Sequence, residues 1–328
     1  MLKNSIKLLL ALMTFGPFSS FVKANECSSI DLREKFSKPV RNQGKISWCY
    51  AFTSADQLEF HEGGPALSAP HIAVEYNRTW PGLTIRNLVR IIDIFRKKDP
   101  LKEHETGFIK TALKRAMKVG VCKFDDVPDN FVPRVDLWRN EITLSTVRDA
   151  IIDINNNIAK RLKRESINDI GHYYSWGNIS PEEFERIVKK EKVGKITLNL
   201  FRKACENKRV TFKKNKYKVI QWPRYFNTLG AIDSQLARGN MPAIDYNSNF
   251  LTKSKTGSWL NVDGMHTSSI IGRRFNVDNN KCEYLIRNSW GSSCERYRPN
   301  LTCEEGNIWV DETTLKKNII LVTYLKEK

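Results

Sequence analysis

Helically spaced apolar residues fill the first two-thirds of this chain, and strand-like runs dominate the last third. Ala51, Leu58 and Phe60 supply apolar positions for a helix that Ser47 is placed to cap. A second helix is expected after Ser68-Ala69-Pro70, and a third from about Phe108 to Val119, stopped by Gly120. Val147, Ile151, Ile154, Ile158 and Leu162 recur at helical spacing among charges. A further helix should end at Gly239, with Pro242 restarting the chain as a strand. Thr267–Gly272, Tyr284–Arg287, Ile308-Trp309-Val310 and Ile319–Leu325 then read as strands. Helices first and strands last predict an α+β arrangement in which two subregions face each other.

The first 24 residues have a different character. Lys3 and Lys7 precede the apolar stretch Leu8–Phe18, and Val22-Lys23-Ala24 suits a signal-peptidase site. The stretch is well short of the ~20 residues that a spanning helix needs. The expectation is a cleaved leader (residues 1–24) and an exported chain, periplasmic or secreted. Export means an oxidising compartment. The chain has seven cysteines, an odd number, so at least one thiol stays unpaired. Cys294 and Cys303 can close a short loop. No CxxC pair is present, so no metal site is expected.

The formal charge of +18 suits anionic partners, such as an envelope surface, a cell-wall polymer or an acidic substrate. The lysines are spread along the chain, as on a solvated face. The densest run, Lys213, Lys214, Lys216 and Lys218, reads as the turn of a hairpin between 209–212 and 217–222. No base-stacking motif accompanies it, so no specific nucleic-acid partner is expected.

Cys49 follows a glycine-bearing loop at the predicted start of a helix. The positive end of a helix favours a thiolate, the reactive form of cysteine. A nucleophilic thiol also needs a base. Of His61, His71, His104, His172 and His266, only His266 precedes a strand of small residues and has Asn288-Ser289-Trp290-Gly291 downstream.

These segments resemble papain and the cathepsins. Pro39-Val40-Arg41-Asn42-Gln43-Gly44 followed by Ser47-Trp48-Cys49-Tyr50-Ala51-Phe52 is similar to that family's nucleophile region, and Asp31-Leu32-Arg33 to the start of its mature enzymes. His266 before its strand, Asn288-Ser289-Trp290-Gly291 after the next, and the Glu305-Gly306-Asn307-Ile308 turn resemble its second half. The resemblance implies a two-subdomain papain-like fold, with a helical half and a β-barrel-like half over residues 25–328. It implies a thiol peptidase acting on a protein or peptide substrate without a cofactor. Cys49 would be the nucleophile, His266 its base, Asn288 the orienting group and Gln43 an oxyanion donor. Trp290 would shield the histidine, and Gly107 would meet the substrate backbone.

There are departures. Ile46 stands where the family has a cysteine, Trp48 replaces a small residue, Tyr50 a tryptophan, and Met265 a polar residue. Cys49 and His266 are 217 residues apart, against ~130–150 in papain-type enzymes. That excess predicts an insertion, mainly helical, at about 130–227. The motifs begin soon after the leader, leaving no room for a propeptide. Control is then expected from export, from the insertion or from a separate inhibitor. An amidase or transpeptidase acting on cell-wall peptides, or a silent cationic binding module on the same fold, are the alternative readings.

Overall fold

The computed structural model describes residues 27–44, 48–76, 107–127, 129, 205–252 and 264–328. The leader, Ile46, Ser47, His104, His172 and the 147–162 pattern lie outside them.

In chain order, β1 (Ile30–Asp31) is followed by three helices: α1 (Cys49–Glu62), α2 (Ala69–Tyr76) and α3 (Ile109–Val119). Then come β2 (Tyr217–Pro223), α4 (Thr228–Leu236), β3 (Ala243–Asn247) and the short α5 (Asn249–Thr252). The chain continues through β4 (Met265–Asn276), β5 (Lys281–Arg287), β6 (Thr302–Glu304) and β7 (Asn307–Asp311), and ends with α6 (Glu312–Asn318) and β8 (Ile319–Glu327). The strands form one antiparallel sheet in the order β2-β8-β3-β4-β5-β7-β6, with β1 also paired to β4.

The apolar residues divide into two clusters. One joins α1–α3 to Tyr217, Val219, Ala243 and Leu325 of the sheet. The other lies among β3–β8, α4 and α6, around Ile244, Tyr246, Ile270, Leu285 and Ile308. Strand alternation explains the split along β3. Ala243 faces the helices, while Ile244 and Tyr246 face the second cluster. α1 is buried from Cys49 through Glu59, so it is an interior helix rather than an amphipathic one. Gly63 ends it in the left-handed region (φ 58°), donating its N–H to Glu59.

One local expectation is corrected. The 209–212 and 217–222 segments do not pair with each other. Val210 bridges Val121, and β2 runs along β8 from Tyr217↔Glu327 to Pro223↔Leu321. Of the expected insertion, residues 205–227 are described. They contribute this edge strand, and Cys205, which is disulfide-bonded to Cys122. Cys27–Cys282 and Cys294–Cys303 are the other two disulfides, and Cys49 is the unpaired cysteine.

Candidate active site

Cys49 is the first residue of α1, with Trp48 as N-cap. Trp48 makes no side-chain cap bond, and no acidic residue occupies the first turn. The positive helix end therefore bears on the thiol without a compensating carboxylate of its own helix. Burial works the other way. It pushes the Cys49 thiol up to about 11, and the carboxylate of Asp245 on β3 adds to that rise. Thr267 and the main chain of Tyr50 act to lower it, against the larger effect of burial. Helix and sheet are tied at this point, since Thr53 Oγ1 donates to the Thr267 carbonyl at 2.9 Å.

His266 directly precedes Thr267 on β4 and is 6% exposed. Its Nε2 lies 2.6 Å from Asn288 Oδ1. The same oxygen accepts from Ser268 Oγ (3.2 Å) and the Ser289 N–H (2.8 Å), while Asn288 Nδ2 donates to Tyr297 Oη (3.1 Å). This set fixes which end of the amide faces the ring. It makes Nε2 the protonated nitrogen, so that Nδ1 carries the lone pair. Burial drops the His266 pKa to about 4, against the opposing effect of the Asn288 bond. Burial thus disfavours the charged form of both members of the candidate pair.

Trp290 and Tyr246 flank the imidazole, with ring centroids 5.0 and 5.7 Å away. Tyr297 stacks behind Trp290 at 5.7 Å. The turn that carries Trp290 is held by backbone. Gly291 N–H donates to the Arg41 carbonyl, and a Cβ on Gly306 would meet the Gly291 carbonyl oxygen at 2.2 Å. Only glycine fits at 306, where φ is 79°.

Gln43 is joined to the same region. Its N–H donates to the Ser289 carbonyl at 2.8 Å, and Ser289 Oγ donates to Gln43 Oε1 at 2.5 Å. The oxygen end of the side chain is therefore engaged, which turns the amide nitrogen the other way. Gly107 packs on the ring of Tyr50, the residue after Cys49, where a Cβ would sit 2.7 Å from Tyr50 Cε1.

A buried ionic network behind these residues was not evident from sequence. Asp56 lies two turns along α1 from Cys49. Arg41 Nε donates to its Oδ1 at 2.6 Å and Arg287 Nε to its Oδ2 at 3.1 Å. Arg41 also bonds Glu59 and Asp129, and Arg287 bonds the carbonyls of Lys38 and Pro39. Arg41 stands two residues before Gln43, and Arg287 directly precedes Asn288. One carboxylate thus joins the Cys49 helix, the Gln43 loop and the Asn288 turn. The adjacency of the two arginines to the motifs was the available signal.

A second His/Cys cluster, His71, Cys122 and Cys205, is also buried, with ligand atoms within 4.8 Å. Cys122 and Cys205 are joined as a disulfide, so neither sulfur of the cluster is a thiolate.

The chain has likenesses at low sequence identity to solved cysteine proteases. Among solved structures it matches xylellain, a cysteine protease from Xylella fastidiosa, at 15% identity over 92% of this chain and 86% of that one (TM-score 0.46). It also matches digestive procathepsin L 3 of the Tenebrio molitor larval midgut (11% identity, 90% and 69% covered, TM-score 0.45). A third match is the proform of Amb a 11, a cysteine protease and ragweed pollen allergen (11% identity, 92% and 65% covered, TM-score 0.48). No protein-family model and no curated protein sequence matches the chain.

Proposed function

We propose that this protein is an exported thiol peptidase that hydrolyses peptide bonds through Cys49, His266 and Asn288. The observation that carries the reading is the 2.6 Å bond between His266 Nε2 and Asn288 Oδ1, with His266 directly before Thr267, whose carbonyl accepts from Thr53 of the helix that begins at the unpaired Cys49.

The chemistry follows from that arrangement. The Cys49 thiol gives its proton to His266 Nδ1, and the sulfur attacks the peptide carbonyl carbon. Developing negative charge on the carbonyl oxygen is met by the Gln43 amide nitrogen and the Cys49 N–H. The imidazolium passes its proton to the leaving amine as the C–N bond breaks, leaving a thioester on Cys49. Water, deprotonated by His266, then hydrolyses the thioester and returns the thiol. Asn288 holds the ring, and Trp290 keeps water from the bond between them. Three disulfides suit an exported protein.

The test is hydrolysis of a mixed set of internally quenched peptides by the purified chain. Cys49→Ala should abolish turnover. His266→Ala should lower kcat by roughly 10²–10⁴, and Asn288→Ala should lower it less. Full activity in Cys49→Ala would overturn the proposal.

A further inference from the structure

We infer that Asp245 is a subsite for a cationic group of the substrate, so that the enzyme prefers peptides carrying a positive nitrogen close to the scissile bond. The inference rests on the peptidase reading and names its substrate class.

Asp245 is the third residue of β3, opposite Thr267 of β4. Alternation along β3 sets it on the same face as Ala243, which packs among α1–α3 and away from the sheet-side cluster that takes Ile244 and Tyr246. Thr267 is shared between the acid and the nucleophile's helix. Its hydroxyl donates to Asp245 Oδ1 at 2.5 Å, and its carbonyl accepts from Thr53 Oγ1, one turn along the helix that Cys49 begins, at 2.9 Å. The carboxylate adds to the rise in the thiol pKa, behind the larger effect of burial. It is half-buried.

Its partners do not balance its charge. Among the described residues, no cationic side chain pairs with Asp245, and its Oδ2 accepts no hydrogen bond. This is unusual in a chain with 54 Lys and Arg against 36 Asp and Glu. The buried carboxylates around α1 all have arginine partners: Asp56 has two, and Glu59 and Asp129 share Arg41. A half-buried carboxylate without a cation is costly to ionise, and beside a nucleophilic thiol it also works against the reaction. A cation delivered with the substrate removes both penalties together. It pairs with Oδ2 and cancels the carboxylate's share of the rise in the thiol pKa. Two sources supply such a nitrogen: a Lys or Arg side chain, or the α-ammonium group of a free N-terminus.

Matched internally quenched peptides separate them. One series is N-acetylated with Arg, Leu or Glu placed in turn at each position flanking the scissile bond. A second keeps Leu throughout and leaves the N-terminus free. Active sites are counted with an epoxide label, so rates refer to competent nucleophile. Wild type should favour either Arg at one position, or the free N-terminus, by about tenfold or more in kcat/KM, and disfavour Glu. Asp245→Asn should bring that ratio close to one, and Asp245→Glu should restore part of it. The same ratio in wild type and Asp245→Asn, or no preference for a cation in labelled wild type, overturns the inference and leaves the peptidase reading standing. A wild-type protein that neither labels nor cleaves overturns both. Thermal unfolding of each variant checks that it is folded.

Discussion

Asp56 provides the sharpest energetic test of how this site is held. Replacing it with alanine leaves Arg41 and Arg287 buried, with side chains 2% and 4% exposed, and removes a charge-assisted bond from each. Breaking a buried ion pair on one side costs about 3–5 kcal/mol, because the remaining charge stays desolvated. Arg41 retains Glu59 and Asp129, and Arg287 retains two main-chain carbonyls. The lower end of that range, about 3 kcal/mol, therefore applies. At about 2–4 °C per kcal/mol for a larger domain, the melting temperature should fall by about 6–12 °C. Asp56→Asn keeps the shape and one acceptor and should lose about half as much. Urea unfolding at pH 7 reads the change as a lower midpoint at unchanged slope. Because the arginines adjoin Gln43 and Asn288, Asp56→Ala should also lower kcat more than it raises KM. An Asp56→Ala protein as stable as one carrying Asp278→Ala, an exposed control, would refute the reasoning.

Two further outcomes follow from the same structure. The His266 pKa is depressed to about 4 from 6.5, so its contribution to stability is fully present above pH 6.5 and is lost as pH falls towards 4. Between those values wild type should lose stability faster than His266→Gln, by up to about 1.4 kcal/mol per pH unit, measured by unfolding at a series of pH values. Among the disulfides, Cys122–Cys205 spans 83 residues and Cys294–Cys303 spans 9. Chain entropy assigns them about 4.6 and about 2.6 kcal/mol, so the Cys122→Ala/Cys205→Ala pair should unfold at the lower denaturant concentration.

Much of this was legible in local sequence, and the rest depended on long-range pairing. Gly120 stops α3 and Pro242 precedes β3, because each residue acts through its own backbone. The Cys294–Cys303 bridge was readable because so short a loop leaves little choice. Cys27–Cys282 and Cys122–Cys205 were not, since connectivity across long separations has no local signature. The hairpin expected at Lys213–Lys218 failed for a related reason. A nearby strand is the default partner, but Tyr217 and Val219 are buried only when β2 lies along β8 beside the helices. Asp56 and Glu59 look like solvent-facing charges on a helix, and they are interior because Arg41 and Arg287 converge on α1 from distant segments. Cys49, His266 and Asn288 were singled out by resemblance, and the structure places them on adjoining elements. Asp245 was missed because a single acid in a strand carries no pattern.

The most direct measurement of the central claim is peptide mapping by mass spectrometry after treatment with an epoxide that alkylates peptidase thiols. One adduct on Cys49, with the other six cysteines recovered as three disulfides, and loss of labelling in His266→Ala, is the expected result. No adduct on folded wild type, or an adduct on any other residue, would contradict it.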